Sequence, residues 1–342
     1  REIEVESCAG GDENARVRFA RQSARAAAGL EAAAFLPDVH LLDLPCFEAG
    51  ADESFARVAV HARPWRPVLV STSPGADGYA PRVRLERPAR IGRLAAALAP
   101  GAWGRFDQMN AIELDLPFGG LSTRTRDAVL GGDNRIAVAT PSGRFEVIGY
   151  LEAEETAPRR WRLGGLLRGL AGSEDAMNEG HPAGAVAIVL DEAVRPLALT
   201  AEEAGRSLNF IVEARGTAQA SGPVAFAGGM RARTPLSPVH LRGRRLGDGD
   251  IRFSWTRRAR RDADGWEAFD IPLDEPFEAY RLDILSAGAV VRSIETDGPA
   301  CLYPATDEIA DFGAAQTAHT IRVRQLGRAV REGIAAERTV EI

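Results

Sequence analysis

From about Asp38 onward, apolar and polar residues alternate in short runs with a period of two, and runs of helical period are rare. That pattern belongs to β-strands with one face on a core and the other toward solvent. "DVHLLDLP" reads as a strand closed by Pro45, and "RPVLVSTS" as another closed by Ser73-Pro74-Gly75. In "NRIAVATPSGRFEVIGYLEAEE", Ile136 and Val138 precede a Pro141-Ser142-Gly143 turn and Phe145 and Val147 follow it in the same period, which predicts a hairpin. "AVAIVLDE" is apolar from Ala185 to Leu190, as a strand buried on both faces would be, whereas Leu208, Phe210 and Val212 alternate along one face. Before residue 37 the signals are mixed: "NARVRFA" alternates like a strand, and "SARAAAGLEAAAFL" has the alanine and leucine content of a helix.

At "RARTPLSPVHL" the composition shifts, and Pro235 and Pro238 predict a linker. The remainder is close to the roughly 100 residues of one sandwich domain. Its strands are short: Val239 and Leu241; Ile251, Phe253 and Trp255; Tyr280, Leu282 and Ile284; Val290 and Val291; Ile321 and Val323; then "RTVEI". The expectation is a mainly β, multi-domain chain, with a mixed β-rich domain over residues 1–125, a β-meander or barrel-like domain over 126–234 and a sandwich over 235–342. The sandwich is expected to fold alone, without helix, as a spacer or outward module.

Charge narrows the function classes. The chain carries 48 acids against 42 bases, a net charge of −6, so no global field attracts nucleic acid or an anionic membrane. Every base is arginine, which removes Schiff-base and P-loop lysines from consideration. In "WTRRARRDADGW", Arg257, Arg258, Arg260 and Arg261 stand before Asp262 and Asp264, between Trp255 and Trp266. From Arg231 to Arg261 ten arginines face only Asp248 and Asp250, but eight acids with one arginine follow from Asp262 to Asp283 and cancel that excess. A calcium loop would need an acid at its twelfth position, where Leu273 stands. The structural reading places Ile251, Phe253 and Trp255 inward, turns the chain at "DADG", and leaves the arginines as solvated or cross-strand-paired residues on the outer face. On that reading Arg258→Ala or Arg260→Ala costs less than about 1 kcal/mol.

Candidate chemistry is sparse. Cys8, Cys46 and Cys301 lack disulfide or zinc spacing, and His40, His61, His181, His240 and His319 lack metal-ligand spacing. "GGLLRGLAG" lacks the phosphate-cradle pattern and reads as a tight turn opening no helix. There is no G-x-S-x-G, and the pairs Glu154-Glu155 and Asp274-Glu275 are ordinary turn acids. No apolar run reaches membrane-helix length, "REIEVES" is unlike a signal peptide, and the Arg1 start points to a piece of something longer. No catalytic residue, cofactor or metal is expected.

Two blocks carry a family likeness. "SPVHLRGRRLGDGDIRFSWTRRARRDADGWEAFDIPLDEPFEAYRLDIL", continued by "YPATDEIADFG", resembles the C-terminal region of the host-specificity (megatron) protein of gene transfer agents and related phage tail-tip proteins. "WRLGGLLRGLAGSED", followed by His181, Gly184 and "AVAIVLDE", is similar to the same family, as are "AVLGGDNRIAV" and "GRFEVIGY" upstream. The last block also resembles a fibronectin type III sandwich, with Trp255 as core tryptophan and His319 where a corner tyrosine usually stands. The resemblance implies tail-hub-like domains before that sandwich. It further implies a homotrimeric baseplate or tail-tip component that joins other hub proteins, meets a host receptor or glycan, and reads no nucleic-acid sequence. The family's TIM-barrel-like region has no counterpart pattern here. The competing reading is an extracellular carbohydrate-binding or glycosidase-accessory module, for which Trp65, Trp103 and Trp161 are the candidate platforms.

Overall fold

The period-two segments fold as antiparallel strands. The computed structural model describes residues 36–47, 54–215, 220–261 and 270–342. The mixed segment before residue 36, Cys8, and the turn from Asp262 through Trp266 lie outside the described residues.

The chain begins with β1 (Asp38–Asp43), β2 (Ala56–His61), β3 (Val68–Ser73) and β4 (Ala80–Leu85). It returns to the same body much later as β11 (Arg195–Pro196), β12 (Leu208–Ala214) and β13 (Val224–Phe226). One sheet runs β1-β2-β11 and the other β13-β12-β3-β4. Val58 and Val60 from the first pack against Val68, Val70, Phe210 and Val212 from the second. Fully burying such a side chain contributes about 1.5–3 kcal/mol. The alternation also sets register, because a slip of one residue would turn β2 inside out.

Between β4 and β11 the chain builds a closed barrel. Its strands are β5 (Ile91–Leu94), β6 (Ile112–Asp115), β7 (Arg135–Ala139), β8 (Phe145–Ala157), β9 (Arg160–Leu167) and β10 (Val186–Val189). The order is β10-β5-β6-β9-β8-β7, closed where β10 pairs with both β5 and β7. The β7–β8 hairpin is the one the period predicted, with Gly143 at φ +83° in its turn. Leu114, Ile136, Val138, Ile148, Tyr150 and Leu163 fill the interior, so the barrel is a packed core. The outer face is apolar too: Ala137, Val147 and Ile188 pack against Leu42, Leu44 and Phe55 of the first body. This double burial is why "AVAIVLDE" shows no alternation. The expected boundary at 125/126 falls inside this barrel, at the short helix α1 (Arg126–Leu130) between β6 and β7. Barrel closure depends on hydrogen bonds between β5 and β10, far apart in sequence, which local periodicity does not report.

The last body comprises β14 (Val239–Arg245), β15 (Ile251–Thr256), β16 (Tyr280–Ser286), β17 (Ala289–Thr296), β18 (Ala300–Tyr303), β19 (Ala318–Gln325) and β20 (Ala336–Glu341). Its sheets are β14-β15-β18 and β17-β16-β19-β20, around Phe253, Trp255, Tyr280, Leu282 and Ile321. It is not free of helix. After β18 the chain forms α3 (Ala305–Phe312), ended by Gly313 at φ +77°, whose N–H donates to Ile309 O at 2.8 Å.

The two sandwiches have one topology. In each, the first, second and fifth strands form one sheet, and the fourth, third, sixth and seventh form the other in that order. This is the strand order of a fibronectin type III sandwich. The fourth and fifth strands are joined by residues 297–299 in the second sandwich and by residues 86–194, the barrel, in the first. The protein is therefore mainly β and multi-domain: one fibronectin-like sandwich carrying a barrel insertion, followed by another.

His319, at the expected corner position, does not imitate a tyrosine. Its buried ring lies edge-on to Phe253, Tyr303 and Phe312, and Nε2 meets Glu308 Oε1 at 2.9 Å. Glu308, on α3, also accepts two hydrogen bonds from Arg245, at 2.8 and 2.9 Å, and one from the Gln316 N–H at 2.8 Å. The hydrogen bonds from Arg245 lead in holding its carboxyl at about 2 against an ordinary value of 4.5, while burial opposes them. A depressed acid contributes stability that is complete above its ordinary value and lost as pH falls toward the depressed one. Urea unfolding followed from pH 5 to pH 2 should therefore show the midpoint dropping below about 4.5. Glu308→Gln should flatten that drop, and an unchanged pH profile in this variant would contradict the assignment.

Candidate functional site

The glycine-rich "GGLLRGLAG" is a turn only in its second half, since Gly164 to Leu167 complete β9, and it opens a helix after all, α2 (Glu174–Glu179). β9 ends at Leu167, and the chain reverses through Gly169, Ala171 and Gly172, at φ +62°, +55° and +85°. At Gly172 a Cβ would run into the Leu236 side chain, so glycine allows the barrel to approach the second sandwich.

Beneath the turn lies a buried ionic cluster that sequence reasoning did not single out. Arg168 pairs with Glu146 through Nε–Oε1 at 2.8 Å and Nη2–Oε2 at 2.9 Å, both side chains being 0% exposed. Its third nitrogen donates to Ala99 O at 3.0 Å. The Gly169 N–H donates to Glu146 Oε1 at 2.9 Å. His181 meets Glu146 Oε2 through Nε2 at 2.6 Å and Ala139 O through Nδ1 at 2.9 Å. Burial by itself would push the Glu146 carboxyl up, but the hydrogen bonds from His181 and Arg168 outweigh it and hold the group below its ordinary range. Since every charged atom is enclosed and partnered, the cluster works as a clamp rather than as an open acid–base site.

Above the turn, α2 faces the other bodies. Glu174 pairs with Arg258, whose guanidinium lies 5.1 Å over the Trp103 ring, and accepts from Ser237 Oγ at 3.1 Å. Asp175 takes Arg231 at 2.6 Å and Arg144 at 2.6 Å. The Arg231 N–H reaches Asp43 in the first sandwich at 3.2 Å. One seam thus joins all three bodies. Pro235 and Pro238, expected in an open linker, are buried, and Pro235 O accepts from the Ile334 N–H at 2.9 Å.

Arg257, Arg258 and Arg260 do not stand on a solvated outer face. β15 ends at Thr256, so the residues after it no longer follow strand alternation: Arg257, Arg258 and Arg260 turn toward neighbouring elements, while Arg261 is exposed as expected. The side chains of Arg257, Arg258 and Arg260 are only 14–17% exposed. Arg257 binds Asp270 at 2.7 Å and Glu278 at 3.2 Å, while Arg260 binds Glu275 at 2.8 Å and approaches Asp274. This engages the pair Asp274-Glu275; Glu154 and Glu155 project from β8 into solvent. Arg258→Ala should cost about 1–3 kcal/mol rather than less than 1, because Glu174 keeps only a neutral partner in a half-dry site. A double-mutant cycle with Glu174→Ala should give a coupling above about 0.5 kcal/mol, and additive losses would refute the pairing.

The other candidates disperse. Trp161 is buried in the barrel, Trp65 is half-buried with Nε1 donating to Glu86 O at 3.1 Å, and Trp103 is 49% exposed beneath Arg258. His40 contacts Asp38 and His61 contacts Ala89 O. Burial pushes the Cys301 thiol up to about 11. Among the described residues no group of three or more His, Cys, Asp or Glu could hold a metal, and no helix is long and apolar enough to cross a membrane.

Fold and seam define a class: a modular β protein whose units are locked together by partly buried ion pairs. Residues 89–188, essentially the inserted barrel, match the family described as Rcc01698-like, C-terminal. No curated protein matches the chain. Among solved structures, the chicken CNTN1 FN1–FN3 domains share 9% identity over 90% of this chain and 97% of that one, with a TM-score of 0.23. The chicken interferon gamma receptor alpha chain gives 9%, 73%, 98% and 0.23 in the same order. A β-1,2-glucanase from Parabacteroides distasonis gives 11%, 90%, 35% and 0.19. At such TM-scores none bears on function, and the fibronectin-like assignment rests on strand order.

Proposed function

We propose that this chain is a structural component of the tail tip or baseplate of a phage-like particle of the gene transfer agent kind. The carrying observation is that the two blocks bearing the family resemblance, distant in sequence, meet in space: Glu174 of "WRLGGLLRGLAGSED" pairs with Arg258 of "WTRRARR". On this reading the residues that carry the resemblance go into locking the barrel to a sandwich, as a part that transmits force during attachment requires. The match of residues 89–188 to the Rcc01698-like family supports the same reading from the barrel side. In this reading the chain acts as a homotrimer with other baseplate and hub proteins. It is made in the bacterial cytoplasm, works outside the cell against a host receptor or glycan, and serves assembly, attachment and DNA delivery without a catalytic step. The carbohydrate-module alternative is weakened because the most exposed of its three candidate platforms, Trp103, already carries Arg258 on its ring. Electron microscopy of particles decorated with a gold-labelled antibody against the second sandwich tests the proposal. Label at the distal end of the tail supports it, and label on heads alone or on no particle overturns it.

A further inference from the structure

The second sandwich treats its two outer faces differently. On the four-stranded sheet Arg281, Arg322 and Arg324 are answered by carboxylates: Arg281 and Arg324 donate to Asp283 at 3.0 and 2.9 Å, and Arg322 donates to Glu337 at 2.8 Å. On the three-stranded sheet the arginines have no such answer. Register sets Arg242, Ser254 and Ala300 in one row across β14, β15 and β18, and Arg244, Arg252 and Leu302 in the next. All three arginines are exposed, and among the described residues none of their side chains has an ion pair or hydrogen bond. The three strands contain no acid. The acids of the turn between β14 and β15 are used locally: Asp250 Oδ1 accepts from the Ala305 N–H at 2.9 Å, and Asp248 Oδ1 from the Asp250 N–H at 3.1 Å.

Such a face works against the stability of the domain. Arg244 and Arg252 stand directly opposite one another, a placement that sets Cβ atoms about 4.5–5.5 Å apart and makes like charges repel. Arg242 adds a third charge about 7 Å along β14. Strand alternation asks only for polar outward residues, and Ser254 meets that need without charge, so the fold does not require three guanidiniums here. What would answer them is a surface that presents carboxylates at the same two-residue strand repeat, each able to take a guanidinium through paired hydrogen bonds. Leu302, 50% exposed, completes the row that Arg244 and Arg252 begin and supplies an apolar point of contact. Arginine beside exposed aliphatic surface is the make-up of a protein–protein contact. Nucleic acid and membrane fit less well. An extended polyanion meets the whole chain, whose net charge is −6, and basic clusters that hold anionic lipid carry about 4–8 charges. A local partner feels only the charges within a screening length of about 8 Å.

We propose that the outer face of β14-β15-β18 docks an acidic, extended segment of a partner protein, with carboxylates on Arg242, Arg244 and Arg252 and an apolar side chain on Leu302. The inference stands on this sandwich alone, whether or not the chain works in a tail tip. The test is fluorescence anisotropy of the full chain at low ionic strength with a labelled peptide in which glutamate alternates with threonine and which ends in leucine. A peptide with lysine in place of glutamate, a labelled DNA duplex, and co-sedimentation with vesicles of phosphatidylcholine and phosphatidylglycerol in equal parts run beside it. The acidic peptide should bind saturably and more tightly than the other three. Arg242→Gln, Arg244→Gln and Arg252→Gln together should weaken it about tenfold. They should leave the thermal midpoint unchanged or higher, because no bond within the chain is lost. The same charge change at Arg105, Arg206 and Arg338, exposed arginines elsewhere, should leave binding as it was. Absence of saturation, tighter binding of DNA or vesicles, equal weakening by both triple variants, or a lower midpoint in the first of them would overturn the proposal.

Discussion

Glu146→Ala is expected to destabilise the protein by about 3–5 kcal/mol, the cost of leaving buried partner charges uncompensated. Arg168 and His181 would face one another across an empty site with no water to reach them, both side chains being 0% exposed. The Gly169 N–H would lose its acceptor, and with it the turn that carries α2 to the seam. For a body of this size the melting midpoint should fall by roughly 10 °C. Replacing all three, as Glu146→Leu with Arg168→Met and His181→Leu, should recover much of the loss, because the penalty comes from stranded charge rather than missing volume. A midpoint unmoved by Glu146→Ala would mean that the cluster is not a clamp.

Trp255→Ala should cost the second sandwich about 3–5 kcal/mol. The indole sits between the sheets, edge-on to Tyr280 with centroids 5.3 Å apart. Its Nε1 is buried and makes no hydrogen bond, so the contribution is volume and ring contact. Trp255→Phe should therefore lose far less than Trp255→Ala. Calorimetry of the two variants decides the point, and equal losses would show that the indole nitrogen matters after all.

Both effects bear on what could be read from residues alone. Trp255 was legible, because Ile251, Phe253 and Trp255 alternate with polar neighbours, and a strand's inward face follows from that local period. The β7–β8 hairpin and the one-sided face of β12 were legible for the same reason. Helix α3 was not: "PATDEIADFG" is short and β-flanked, and its cap at Gly313 shows itself only as a left-handed residue. The pairing of Glu146 with Arg168 and His181 left no trace either, since the three lie on separate segments and each looks like an ordinary polar residue.

The chain's own pattern was sufficient for strand content, for the inward faces and for the turn at the glycine-rich segment, since these depend on neighbours two to five residues away. Packing alone settled the rest. It decided that residues 86–194 interrupt a sandwich whose later strands then rejoin it, that β5 and β10 close a barrel across the expected boundary at 125/126, and that Arg258, past the end of β15, leaves the strand's alternation to pair with Glu174 of the barrel. These outcomes depend on which distant surfaces exclude water together and which buried charges find partners, and both are set by contacts between residues far apart along the chain.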